Sequence, residues 1–194
     1  ATGTDLDHIG ALFGVARADD EDDARLRRRI QMVPETYTAA GTPGAYAWHA
    51  YDACDRVADV AVASPAPGRV EVSVIGTDDG GRLDDVDLAK IQDRMRRDDV
   101  KPLTDNVVVR HATVISYAVS ARLWLYRGPD AAVVRERAVA SLRDHAATLR
   151  RIGYDVTLSG LYAALHVAGV QEVEIVMPTG SIEVDTRSCA VLAG

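Results

Sequence analysis

Cysteine is scarce in this chain: Cys54 and Cys189 are the only two among 194 residues. Two cysteines so far apart, with no C-x-x-C spacing, support neither a disulfide framework nor a zinc site, and both read as half-buried free thiols. Aromatic residues are few as well, at 5%, with one Phe and two Trp. An aromatic platform for a carbohydrate or other cell-surface ligand would have to draw on Trp48, Trp124 or Tyr126. Both tryptophans fall in an expected helix or strand, where core packing is the usual use. No apolar run approaches the roughly 18 residues needed to span a bilayer. A basic excess is missing too: the net charge is −7, which argues against binding to a phosphate backbone. The opening ATGTDLDHIG has no basic stretch followed by an apolar core and does not read as a signal peptide. It lacks Met and starts in mid-pattern, so the chain is expected to be a piece from which an N-terminal part is missing.

The usual marks of catalysis are also missing. There is no G-x-S-x-G elbow, no G-x-x-x-x-G-K-[ST] loop and no strand–GxGxxG–helix unit. The five histidines (His8, His49, His111, His145, His166) contain no H-x-H and no i,i+4 pair, so no local zinc site is expected. The stretch YTAAGTPGAYAWHAYDACDRV, Tyr37–Val57, gathers His49 and Cys54, but five residues along a helix place them about 140° apart. They do not share a face. His166, on LYAALHV, reads as a core or interface histidine. TDDGGR, at 77–82, reads as a hairpin-to-helix loop rather than a cation site. No catalytic residue, cofactor or metal is therefore expected. A hydrolase built on scattered carboxylates or His49 would need a cleft of convergent polar groups and a strongly perturbed carboxylate.

What is present is 47% hydrophobic and 26% charged residues, the balance of a soluble globular protein with room for one large or two small domains. DLDHIGALFGV places Leu6, Ile9, Leu12 and Phe13 on one helical face, with Asp5 as the expected N-cap. ARADDEDDARLRRRIQMVPE sets acids at Asp19–Asp23 before Arg25 and Arg27–Arg29, the order a helix dipole favours, with Leu26 and Ile30 as its apolar stripe. The acidic run lacks the alternating ligands and turn glycine of a calcium loop and reads as a solvated helix start. Thr42 and Pro43 mark another helix start, as N-cap and N1.

Val57, Val60 and Val62, then SPAPG, then Val70, Val72 and Val74 predict a β-hairpin. Asp84 or Asp85 caps a helix with Leu88, Ile91 and Met95 on one face. Asn106–Tyr126 reads as one or two strands, broken near His111–Thr113. Pro129 and Asp130 begin a long helix whose inner face is Val134, Ala138, Leu142 and Leu149, with Gly153 as its C-cap. A shorter helix at Ser159–Val167 leads to a strand at Val170–Met177, a PTG turn and a strand at Ser181–Asp185.

DACDRVADVAVASPAPGRVEV and LHVAGVQEVEIVMPTGSIEV resemble each other. Val57, Val60, Val62 and Pro65 correspond to Val170, Val173, Ile175 and Pro178. With one deletion, Gly68 and Val70 correspond to Gly180 and Ile182. Each copy reads as a helix running into a hairpin. The expected fold class is α+β: a helical N-terminal segment followed by two related α/β units with β-hairpins. The boundaries are 1–42 for the helical segment, 43–112 for the first unit and 113–194 for the second.

The pieces GTDLDHIGALFGVAR, PETYTAAGTPGAYAWHA, DVAVASPAPGRVEVSVI, VKPLTDNVVV, GPD and LSGLYAALHVAGVQEVEIVMP, in this order and spacing, resemble the baseplate J family of contractile-tailed phages and prophages over nearly the whole chain. The resemblance implies a structural, non-enzymatic wedge component of a tail baseplate, placed in the virion tail and assembled in the bacterial host cytoplasm. The implied partners are other wedge proteins, the hub and sheath-proximal proteins, with self-association, and neither nucleic acid nor a membrane span. Rearrangement of the ring on host contact would trigger sheath contraction, with the α/β units as rigid bodies. Members normally carry a further region before the GTDLDHIG-like segment, so 1–42 would be the end of an arm. The expected contact surfaces are the tips Ser64–Gly68 and Pro178–Gly180 and the Leu6/Ile9/Phe13 stripe. A tail-associated binding module for a cell-surface ligand is the alternative.

Overall fold

In the computed structural model, which describes residues 1–37, 41–78, 80–128 and 130–193, short polar side chains start most helices. Asp22 caps α2 (Asp23–Met32), Thr42 caps α3 (Pro43–Ala53), Asp84 caps α4 (Asp85–Arg96), Asp130 caps α5 (Ala131–Leu149) and Thr157 caps α6 (Leu158–Leu165). Each side-chain oxygen accepts from an otherwise orphan first-turn N–H. Pro43 stands at the head of α3, as expected, where its missing N–H costs nothing. Pro129 lies outside the described residues. In α1 (Gly3–Leu12) the flanking residue is Thr2, not Asp5, which sits inside the first turn. Gly3 N–H instead donates to Asp23 Oδ2 at 2.9 Å, so a carboxylate of α2 does the capping. The end of α5 also differs from expectation: Arg150 is the C-cap, and Gly153 follows at φ 78°, its N–H bound to Ser188 O.

The chain divides into two compact units, Ala1–Asp78 with Arg82–His111, and Ala112–Gly194 with Asp79–Gly81. In the first, β1 (Val57–Ala66) and β2 (Arg69–Gly76) form the expected antiparallel hairpin, with Val60 opposite Val74 and Val62 opposite Val72. Gly68, at φ 70°, takes the left-handed turn position that a side chain would strain. β3 (Asn106–His111) joins β2 in parallel through the α4 crossover, giving the order β1-β2-β3. The core forms where Tyr46, Ala50 and Tyr51 of α3 and Ile91 and Met95 of α4 meet Val70, Val72, Val74, Val107 and Val109 of the sheet. A smaller core holds Leu6, Val15, Leu26, Ile30 and Val33, so α1 and α2 lie in the same unit as the first sheet.

In the second unit β4 (Thr113–Tyr117) pairs in parallel with β7 (Ser188–Leu192), and β5 (Ser120–Leu125) pairs antiparallel with β6 (Val170–Met177). The one or two strands expected at Asn106–Tyr126 are therefore three. Val134 and Ala138 are buried as predicted, with Leu142 and Leu149 partly buried against the core of Tyr117, Val156, Leu161, Val184 and Ala190. Gly160 lets α6 approach α5, since a Cβ there would stand 2.8 Å from His145 Nε2.

The second hairpin of the proposed repeat does not form. β6 pairs backward with β5, and residues 181–185 are not a strand. Their hydrogen bonds go to the segment entering α6. Ile182 exchanges both backbone bonds with Val156, Leu158 N–H donates to Ser181 Oγ at 3.1 Å, and Val184 N–H donates to Asp155 Oδ1 at 2.7 Å. The likeness of the two sequences thus reaches only as far as a helix feeding a strand.

Candidate functional site

The most developed polar constellation joins α2 to α3, α4 and β1. Glu21, buried, holds Arg29 at 2.8 Å and Arg25 at 3.5 Å. Arg29, also buried, reaches Asp52 at 2.9 Å, and Asp52 holds Arg94 of α4 at 3.2 Å. Arg25 donates to the carbonyls of Tyr51 at 2.9 Å, Cys54 at 2.8 Å and Val57 at 2.7 Å. It thereby satisfies the C-terminal end of α3 from another helix, where a cation suits the dipole. Burial pulls the Arg25 guanidinium below the usual arginine range, with Glu21 opposing. Arg28 lies 4.5 Å from the centroid of the Tyr51 ring, and the Tyr51 hydroxyl donates to Asp59. Sequence reasoning placed the DDEDD run in solvent as a helix start; Asp22 caps α2, but Glu21 is interior. The available signal was the matching arginine run four to eight residues later.

Among the described residues no hydrogen bond joins His49 to Cys54. Cys54 is buried at the end of α3, its thiol pushed up by burial; Cys189 is buried as well, and the two cysteines form no disulfide. Both are more enclosed than the half-buried thiols expected. His49 is held down to about 4, first by burial and then by Arg94. The Trp48 ring meets it edge-on at 5.0 Å. In the TDDGGR loop, Arg56 occupies the place a cation would take, reaching Asp78 at 2.5 Å, Asp84 at 2.7 Å and Asp87 at 3.0 Å; Asp79 lies outside the described residues. Asp23, Asp84, Asp99 and Asp185 are all held below the usual carboxylate range, by backbone donors or arginines. These shifts belong to caps and ion pairs. Among the described residues no group of three or more His, Cys, Asp or Glu is placed to hold a metal ion, and no helix is long and apolar enough to cross a membrane.

The predicted contact surfaces divide. The tip Ser64–Gly68 is exposed throughout, and Thr179 and Gly180 are exposed at the other. Of the α1 stripe, Leu6 is buried in the small core, while Ile9, Leu12 and Phe13 face out. Trp48 is partly buried and donates from Nε1 to Arg29 O at 3.2 Å. Trp124 is 44% exposed and Tyr126 57%, so the core role expected for Trp124 does not hold. His166 is exposed at the end of α6 rather than in the core. Sequence reasoning also missed an apolar groove of about 400 Å3 between β5 and α5, with Arg135 on its wall.

Comparison with known proteins matches both halves of the chain. Residues 38–111 match the Baseplate J-like central domain, and residues 117–194 match the Baseplate J-like protein C-terminal domain. Baseplate protein J of Escherichia phage P2 is 38% identical over 205 residues, covering 98% of this chain and 68% of that protein. A chain of the anti-feeding prophage (AFP) baseplate, solved by cryo-EM with 6-fold symmetrisation, shares the fold with a TM-score of 0.61 at 18% identity. The match covers 90% of this chain but only 42% of that one. With two consecutive domain matches and a relative at this identity, the chain belongs to the baseplate J-like family.

Proposed function

We propose that this chain is a structural, non-catalytic component of a contractile-tail baseplate, acting as a wedge subunit that helps build the ring around the hub and rearranges to trigger sheath contraction. The observation that carries the reading is the ordered pair of domain matches, central then C-terminal, together with the phage P2 relative across almost the whole chain. On this reading the chain sits in the virion tail baseplate after assembly in the host cytoplasm. It packs against other wedge proteins, hub and sheath-proximal proteins, and further copies of itself. The exposed tip Ser64–Gly68 and the outward side chains Ile9, Leu12 and Phe13 are the contact surfaces. Residues 1–42 form a helical segment, and 43–112 and 113–194 the α/β units that follow it. The interior ion network supports such a role, because a subunit that transmits force needs helix α2 fixed to the elements behind it.

The deciding experiment is cryo-imaging of particles from cells lacking this chain. Loss or disorder of the baseplate is expected, and complete tails that still contract would overturn the proposal. The exposure of Trp124 and Tyr126 favours one second reading, a tail-associated module for a cell-surface ligand. That reading requires host-cell binding by the isolated chain that W124A abolishes.

A further inference from the structure

We infer that the second edge of β5 receives an extended strand from another protein, whose alternate apolar side chains fill the groove beneath β5 and whose acidic residue meets Arg135. This rests on the reading of the chain as an assembly subunit, which supplies such a partner. β5 pairs only with β6 among the described residues, leaving one side of the strand without a strand neighbour. An exposed row of backbone donors and acceptors is a template for a further strand, and a two-stranded ribbon is marginal by itself.

The side chains alternate to match. Ser120, Arg122 and Trp124 are exposed, while Ala121, Leu123 and Leu125 are only partly covered. Those three and Val119 form one wall of the groove; Ala131, Arg135, Ala138, Val139, Leu142 and Leu165 complete it. No β6 side chain lines it, so the groove opens along the edge that β6 leaves vacant. A strand added there at about 4.8 Å from β5 sends every second side chain toward α5. This is the geometry by which strand addition combines backbone affinity with side-chain selectivity.

The charge of the groove selects the occupant further. Arg135 is the one charged residue on its wall and, among the described residues, has no carboxylate partner. A glutamate or aspartate on the inward face of the incoming strand would form a charge-assisted bond there. A small apolar ligand would use the cavity but leave both the strand edge and Arg135 unused.

The test is fluorescence anisotropy of the whole chain with a labelled peptide, Thr-Val-Thr-Val-Thr-Val-Thr-Glu, whose glutamate shares a face with the valines. Saturable binding is expected, weakened about fivefold or more when lysine replaces the glutamate. Arg135→Ala should erase that difference, and Val139→Asp should abolish binding. Both positions are exposed on α5, and circular dichroism verifies that the fold is retained. Hydrogen exchange of the β5 amides should slow on binding. No saturable binding, binding indifferent to V139D in a folded chain, or saturable binding of decanoate without binding of the peptide would each overturn the inference. None of these results bears on the baseplate role, which the particle imaging tests separately.

Discussion

Arg29→Met should cost the first unit far more than a surface arginine would. The Arg29 side chain is 9% exposed and bridges Glu21, whose side chain is fully enclosed, to Asp52, at 2.8 and 2.9 Å. Removing one member of a buried pair typically costs about 3–5 kcal/mol, because the partner's charge stays buried without compensation. Here part of that loss is offset. Glu21 keeps Arg25 at 3.5 Å and accepts from Ala18 N–H at 3.0 Å, and Asp52 keeps Arg94 at 3.2 Å. The expected cost is therefore about 2–4 kcal/mol, or roughly 10–20 °C in the melting midpoint of a unit this size. The unit can be followed by itself. Only two tryptophans exist, so a W124F background leaves Trp48 as the reporter, and its indole N–H is bonded to the Arg29 carbonyl. The double variant Arg29→Met with Glu21→Leu removes both charges and should regain about half of the loss or more. A single-variant cost under about 1 kcal/mol, or a double variant no more stable than the single, would refute the interior ion network as described.

Stability should fall as pH drops from about 6.5 to 4. His49 titrates near 4 in the fold and near 6.5 unfolded, so the unfolded chain takes up the proton first. The contribution is about 1–2 kcal/mol after allowing for solvent screening of a partly exposed ring, and His49→Gln should flatten that segment of the denaturation-versus-pH curve. Gly10→Ala should destabilise by about 1–3 kcal/mol although alanine is the better helix former, because the new Cβ would stand 2.6 Å from Val15 O and 3.3 Å from Ile30 Cδ1; chemical denaturation decides the sign. Cys54 and Cys189, 5% and 0% exposed, should react with a thiol reagent only through unfolding, one reporting each unit. Rapid native labelling at either would contradict the burial described.

Elements governed by neighbours in sequence were legible. Thr42 with Pro43, and Asp84 before Leu88, Ile91 and Met95, mark helix starts by local hydrogen bonding and a 3.6-residue period. The Val60/Val62 and Val72/Val74 alternation around a Pro/Gly turn fixed a hairpin and its register. The second hairpin failed because the same signals do not say which strand is the partner. Val173 and Ile175 could pair forward or backward, and the Asp155 side chain and the Val156 backbone bind Val184 and Ile182, backbone that a forward hairpin would have used.

The candidate surfaces follow the same division. By itself the sequence determined the net acidity, the shortage of cysteine and aromatics, the caps at Thr42 and Asp84 and the family to which the order of its motifs belongs. Each of these is a property of composition or of residues a few positions apart. Only the tertiary structure decided that Glu21 is interior while Asp22 is not, that Arg56 fills the space among three aspartates, that Trp124 faces outward, and that β5 has β6 as its single strand neighbour among the described residues, above an apolar groove. Those outcomes depend on which distant segments compete for the same hydrogen bonds and the same apolar area, a contest between residues tens of positions apart that no local pattern records.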